Sequence, residues 1–266
     1  MQRSSNVLCW LLAALFLSAT DACAQLTSNL VAFWELEEAS GTRNDGHASN
    51  HLTDLNSVGS TTGKVGTAAD LESTSSQRLY IADNADLSVG DIDFSGCFWT
   101  NPESLSGFPS PFSKDTITVT ADREYGAYID GTTLYFYVFD TGGSFKQTSS
   151  GITLSTGTWQ FVCFGHSASA NEIWISKNTD TPITTAHSSG VRDAGAPFAI
   201  GGGLNGTSPT GDSWDGAIDQ FGFWKRDVRS DISTMHNGGA GMSLAAMSGG
   251  GGPPTVRRLM TLGVGE

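Results

Sequence analysis

Alternating apolar and polar residues, broken at intervals of roughly ten positions by Gly, Asn, Asp and Ser, run through most of this chain. A period of two predicts strands, and turn residues at that spacing predict an all-β, two-sheet antiparallel β-sandwich. The strongest segments are bookends. Leu30 to Leu36 opens the series, and Gly216 to Trp224 closes it. Between them the pattern predicts strands over Gly63–Leu71, Arg78–Ala82, Ile92–Thr100 (ending before Pro102), Phe145–Thr148, Trp159–His166, Glu172–Lys177 and Phe198–Gly201. Tyr125–Ile129 and Thr133–Phe139 read as a hairpin across Asp130-Gly131. One short C-terminal helix is expected over Asp231–His236, with Ser230 as its N-cap and Asn237-Gly238-Gly239 stopping it.

The same alternation sorts side chains by face. Leu134, Phe136 and Val138 share one face of their strand and point to the core, leaving Tyr135, Tyr137 and Phe139 on the other. Likewise Ile173 and Ile175 point inward and Trp174 outward. If the two strands are neighbours, Tyr135, Tyr137 and Trp174 make an exposed aromatic platform; otherwise some of them pack under a loop. Such a platform suits the C–H face of a sugar ring, with Asn, Asp and Gln holding hydroxyls. Trp214, in the loop Gly211–Asp215, is a second ligand-binding candidate. Trp34, Trp99, Trp159 and Trp224 lie in apolar runs and read as core.

The first residues read as a processing signal. Arg3 supplies the charged end, Val7–Leu17 the apolar stretch and Ala22-Cys23-Ala24 a small-x-small cleavage site. Residues 1–24 are therefore expected to be a signal peptide, with the mature chain starting at Gln25. A lipoprotein reading would need an apolar and a small residue before Cys23, where Thr20-Asp21-Ala22 stands. Export predicts a secreted or cell-surface protein, the periplasm being the other destination, with no transmembrane segment after cleavage. Residues 25–247 then form one β-domain, 248–254 a Gly/Pro linker and 255–266 a short disordered tail.

Two cysteines remain in the mature chain, Cys97 and Cys163, both inside predicted strands. They can bridge in an oxidising compartment or sit reduced as small hydrophobes; the residues alone leave both open. A net charge of −13 argues against nucleic acid as a partner and against docking on anionic lipid.

Known catalytic motifs fail on inspection. Gly201–Gly206 matches a dinucleotide fingerprint, but Thr207-Ser208-Pro209 cannot start the helix that holds the pyrophosphate. Gly63-Lys64 lacks the phosphate-loop spacing, and Val65 replaces the magnesium hydroxyl. His47 and His51 lie in a turn-rich loop. Glycoside hydrolysis needs two carboxyl groups flanking the scissile bond; Glu35 and Glu37 alternate properly but lie in the first strand, with no further acid in register. A non-enzyme is expected.

Trp34-Glu35-Leu36 with Ser40-Gly41, Gly63–Ala68, Tyr80-Ile81-Ala82, Ile92-Asp93-Phe94 leading to Trp99, Gly157-Thr158-Trp159, Ile218-Asp219 to Arg226 and Asn237-Gly238-Gly239 occur in that order. This series resembles the laminin-G-like, concanavalin A-type lectin/glucanase jelly roll in its bacterial and phage form. The resemblance covers roughly 30–247. It implies a jelly roll whose first and last strands pair, and a non-catalytic module recognising polysaccharide, glycoconjugate or a cell-surface protein. It also implies a structural calcium ion near the closing strand, with Asp219 as ligand and Glu35, Glu37 or Asp70 supplying a second oxygen. Otherwise Asp219 accepts backbone hydrogen bonds or pairs with Lys225 or Arg226. Cysteines at positions 97 and 163 depart from the family's usual small or aliphatic residues, so the family pattern does not support a bridge. Two other classes stay in view: a self-associating surface-layer, matrix or virion-decorating protein, and, with less in its favour, a glycosidase. The sequence does not fix an oligomeric state.

Overall fold

Burial follows the predicted alternation closely enough to build two stacked sheets. In a computed structural model, residues 26–116, 119 and 122–249 are described. Chain contacts separate a large unit, Ser28–Leu244, from a smaller one to which 26–27 and 245–249 belong. Within the smaller, the Gly249 N–H donates to the Ala246 carbonyl at 3.3 Å. The expected signal peptide and tail, and most of the linker, lie outside the described residues.

The first sheet comprises β1 (Leu30–Trp34), β3 (Gly59–Thr62), β4 (Thr67–Leu71), β6 (Phe94–Ser104), β12 (Gln160–Ser167), β13 (Glu172–Lys177), β14 (Ile183–Ala186) and β18 (Asp215–Trp224). Its order is β14-β13-β12-β6-β18-β4-β3. The closing strand β18 holds β6 along one side; along the other, Gly216–Ile218 pair with β4 and Phe221–Trp224 with β1. A bulge between Asp219 and Gly222, with Gln220 at φ 51°, marks the change of partner. The two terminal strands are thus antiparallel neighbours, as the bookend pattern predicts.

The second sheet comprises β2 (Thr53–Leu55), β5 (Arg78–Ile81), β7 (Phe112–Asp115), β8 (Arg123–Asp130), β9 (Thr133–Phe139), β10 (Phe145–Gln147), β11 (Ile152–Thr153) and β15 (Phe198–Ile200). It runs β10-β9-β8-β7-β15-β5-β2, with β11 also on β9. A separate two-stranded ribbon joins β16 (Leu204–Asn205) to β17 (Ser208–Pro209). The inner faces meet in an aromatic core: Phe98 stacks on Phe221 at 5.1 Å, and Phe112 of the second sheet stacks on Phe164 of the first at 4.1 Å. Offset aromatic packing of this kind adds to the area each ring buries.

Four local expectations need correction. The hairpin loop is Gly131-Thr132, because Asp130 pairs with Thr133; Gly131 takes φ 65°, which glycine adopts without penalty. Strand β6 continues through Pro102 rather than stopping before it. Its pairing with β12 ends at Thr100; beyond it Pro102 needs to offer only its carbonyl, which accepts the Gly157 N–H at 2.9 Å, while Gly216 lies opposite on β18. Residues Gly63–Gly66 form a turn rather than a strand, closed by Gly63 N–H to Gly66 C=O at 3.0 Å. The helix spans Ile232–His236 behind a 3-10 turn at Arg229–Asp231, and Ser230 caps nothing. Asn237, at φ 51°, does end it.

Candidate functional site

The outer face of the second sheet carries the polar-aromatic side chains that the alternation assigns away from the core. Tyr128 of β8 lies directly opposite Tyr135 of β9, and Gly126 opposite Tyr137. Tyr128 and Tyr135 stack at 5.6 Å and are half-buried. Tyr137 leans across Gly126: a Cβ there would stand 2.6 Å from the Tyr137 hydroxyl. The missing side chain lets the ring lie down on the sheet. Phe145 of β10 packs on Tyr137 at 5.5 Å and on Phe139 at 5.5 Å, and keeps 48% of its surface exposed.

A charged group is built into this face. Asp115 is fully buried and takes two hydrogen bonds from Arg123, Nε at 2.8 Å and Nη2 at 2.9 Å, and a third from the Tyr137 hydroxyl at 2.8 Å. Burial pulls the Arg123 guanidinium down, but the Asp115 carboxylate outweighs it and the net shift is upward. Burial and the Asp115 charge hold the Tyr137 phenol well above its usual range, so it remains a donor. The guanidinium lies 4.2 Å over the Phe139 ring, which fixes it from below.

Across the floor stands the loop bearing Asp212. Its carboxylate accepts the Gly203 N–H at 3.0 Å and the Thr210 hydroxyl, and buried Arg78 approaches it at 3.7 Å. Ser110 N–H donates to the Asp212 carbonyl at 2.9 Å, bringing Phe108, 64% exposed, to the rim. Phe108, Ser110, Arg123, Tyr128, Tyr137, Phe145 and Asp212 enclose a cleft of about 280 Å³.

The ligand candidates from sequence divide sharply. Tyr135 and Tyr137 sit on this outer face, although Tyr137 is 6% exposed and its hydroxyl is taken by Asp115. Trp174 does not join them. It belongs to β13 in the other sheet, where it faces outward but is covered, with the Arg229 guanidinium 5.6 Å over its ring. The proposed platform of Tyr135, Tyr137 and Trp174 therefore does not exist: similar alternation in two strands says nothing of whether they share a sheet. Trp214 is fully buried in the core and anchors the loop that presents Asp212. Trp99 and Trp224 are buried on the outer side of the first sheet, while Trp159 is half-buried beside β12.

Cys97 and Cys163 face each other across β6 and β12 and are bonded, with Cα atoms 4.1 Å apart. The calcium ligands do not gather. Asp219 Oδ2 accepts the N–H groups of Lys64 at 2.7 Å and Val65 at 2.9 Å, while its buried Oδ1 has no hydrogen-bond partner. Burial raises this carboxyl to about 7, which favours its neutral form. Glu35 accepts the Leu244 N–H at 3.0 Å, and Asp70 stands on β4 opposite Ala217. Among the described residues no three His, Cys, Asp or Glu side chains converge on a metal position. Calcium takes six to eight oxygen ligands, so Asp219 Oδ1 and the nearby Glu37 alone would not hold one, and backbone carbonyls would have to complete the shell.

Arg123, Asp115, Tyr128, Phe108, Phe145 and Asp212 were not singled out from sequence. Tyr128 was reachable by face, because either two-residue loop puts it on the same side of the hairpin as Tyr135, although only the loop Gly131-Thr132 sets the two directly opposite. The others come together through pairing of β7 with β8 and of β10 with β9, and through the long loop after Ile200.

Similarity to known proteins agrees with the architecture. A family model described as the concanavalin A-like lectin/glucanases superfamily matches residues 73–231. No curated protein matches the chain by sequence. Among solved structures, the binding domain of Paraclostridial Mosquitocidal Protein 1 superposes with a TM-score of 0.64 at 16% identity, over 80% of this chain and 53% of that one. Domain 4 of AbnA, an extracellular arabinanase of Geobacillus stearothermophilus solved with arabinotriose, gives 0.58 at 18% identity, over 77% and 97%. The ligand-binding domain of botulinum neurotoxin serotype D, in complex with N-acetylneuraminic acid, gives 0.57 at 12% identity, over 82% and 52%. The chain thus spans about half the length of the two toxin domains. With its two antiparallel sheets and a family model matched over more than half its length, the chain belongs to the concanavalin A-like lectin/glucanases superfamily.

Proposed function

We propose that this protein is an exported, non-catalytic module that binds carbohydrate, on a glycan or on a glycosylated cell surface. The observation that carries the reading is the cleft between Phe108 and Phe145, where aromatic rings adjoin the fixed charges of Arg123 and Asp212. Rings of this kind offer flat apolar area to a sugar's C–H face, while Arg123 and Asp212 supply a donor and an acceptor for hydroxyls. Arg123 is preorganised by Asp115 and Phe139, so little side-chain freedom is lost on binding. The sugars named with the arabinanase domain and the neurotoxin domain belong to those proteins, and lend the reading analogy. Export is supported by the leader-like residues 1–24 and by the cross-strand disulfide, which suits an oxidising compartment.

Glycan-array binding by the mature chain tests this, with and without chelator. Binding that survives chelation and is lost in Tyr128→Ala and Phe145→Ala, with thermal stability retained, is the expected result. A silent array accompanied by concentration-dependent oligomers would favour the self-associating structural role, and release of reducing sugar would favour a glycosidase.

A further inference from the structure

A second depression adjoins the aromatic cleft across Arg123. It holds about 470 Å³ and is lined by Asp122, Thr141, Arg192, Asp193 and Ala194. Asp122 directly precedes Arg123, and the Arg192 N–H donates to the carbonyl of Phe139, the ring beneath that guanidinium, at 2.8 Å. No residue lines both hollows; the Asp122-Arg123 step and the Arg192–Phe139 hydrogen bond link them, and their linings differ. One is largely aromatic; the residues lining the other, apart from Ala194, carry charged or hydroxyl groups on aliphatic stems.

We propose that the two hollows form one groove whose occupant is an internal stretch of a neutral polysaccharide, one ring on the aromatic floor and the following units over the polar depression. The inference rests on the carbohydrate reading above and adds to it the ligand's length and charge. At about 280 Å³ the aromatic hollow falls just below the ~300–1,000 Å³ of ordinary small-ligand sites, so it suits one ring; the adjoining hollow supplies the remaining room. Stacking holds a ring without regard to what is linked at either end, and the polar hollow offers both donors and acceptors to the hydroxyls of its neighbours. Charge decides against an anionic chain. Arg123 and Arg192 are matched by Asp122, Asp193 and Asp212, and the chain as a whole carries −13, which repels a polyanion.

The test is affinity electrophoresis of the mature chain in gels containing arabinan, xylan, mixed-linkage glucan or galactomannan, with alginate and heparin as anionic controls. Calorimetry with one- to six-unit oligosaccharides of the retarding polymer follows. Retardation by a neutral polymer is expected, with Kd falling at least tenfold from the monosaccharide to the longer oligomers. Asp193→Ala and Thr141→Ala should weaken the longer oligomers several-fold while leaving the shortest ligand unchanged; Tyr128→Ala should weaken all of them. A Kd independent of length, or retardation by the anionic polymers alone, overturns the groove and leaves carbohydrate binding standing. No retardation by any polymer, together with a silent glycan array, overturns both.

Discussion

The Tyr137 hydroxyl donates to the Asp115 carboxylate at 2.8 Å, and the same carboxylate holds Arg123 at the edge of the aromatic cleft. One fully buried acid thereby positions a ring and a cation that belong to two different strands. Replacing Tyr137 by Phe removes one charge-assisted bond and keeps the ring, at a cost of about 1–3 kcal/mol. Replacing Asp115 by Ala strands a buried phenol and frees Arg123, at about 3–5 kcal/mol. Denaturant titration ranks the two. In the folded population, glycan affinity should fall sharply for Asp115→Ala and little for Tyr137→Phe; equal affinity losses would contradict the positioning role of Asp115.

Gly126 should tolerate no side chain. An added Cβ meets the Tyr137 hydroxyl at 2.6 Å and Ser113 Cβ at 3.0 Å, so Gly126→Ala must lift the tyrosine off the sheet. Overpacking of this kind costs about 1–3 kcal/mol. The variant is expected to fold, melt lower and lose binding, whereas an unchanged affinity would show that the Tyr137 ring is not part of the floor.

The Cys97–Cys163 bridge spans 66 residues of sequence and ties β6 to β12. Its loss through paired Cys97→Ser and Cys163→Ser changes is expected to lower stability by about 2–4 kcal/mol, read by denaturant midpoint with and without reductant. Reductant should shift the native protein and leave the double variant where it is. Free-thiol labelling of the unreduced, denatured chain gives a direct check, with no labelling expected at these positions.

Asp219 predicts a pH dependence of definite sign. Desolvation raises its folded value to about 7, above the unfolded 3.8, so the fold favours the protonated acid. The resulting stabilisation is complete below about 4 and is lost as pH rises through about 7. Asp219→Asn keeps an oxygen for the Lys64 and Val65 N–H groups but removes the titration. Its melting temperature should therefore fall less than that of the native protein between pH 5 and pH 8; parallel curves would assign the slope to other groups.

Intact mass of protein recovered from outside the producing cell should correspond to a chain beginning at Gln25. A retained Arg3, or an acylated Cys23, would contradict the cleavage expected from the first 24 residues.

The sandwich was legible because its evidence is local. Leu134, Phe136 and Val138 alternate cleanly, Asn237 and Gly238 stop a helix, and the opening strand Leu30–Trp34 is apolar throughout. The missed strands are the ones whose residues give no local signal. β3 reads Gly-Ser-Thr-Thr and lies at a sheet edge, while β7 places Lys114 and Asp115 in buried positions that partners such as Glu124, Asp83, Arg123 and Tyr137 make tolerable. The cleft was half-legible for a related reason. Face assignment found Tyr135 and Tyr137, but sheet membership, which decided against Trp174, is a property of pairing between distant segments. Asp219 shows the same limit: an acid between Ile218 and Phe221 needs a partner, and the sequence does not say that backbone N–H groups of a turn more than 150 positions away supply it.

The antiparallel contact of β1 with β18 fixes how the module bears a load. Leu30 stands across from Trp224, so a pull applied at those two residues draws the two strands apart from the same side. Rungs of such a ladder fail in succession, like a zip opened from its tab, and yield at lower force than strands sheared past each other. The Cys97–Cys163 link lies on β6 and β12, beyond the peeled pair, and would keep the remainder of the sandwich stitched under tension.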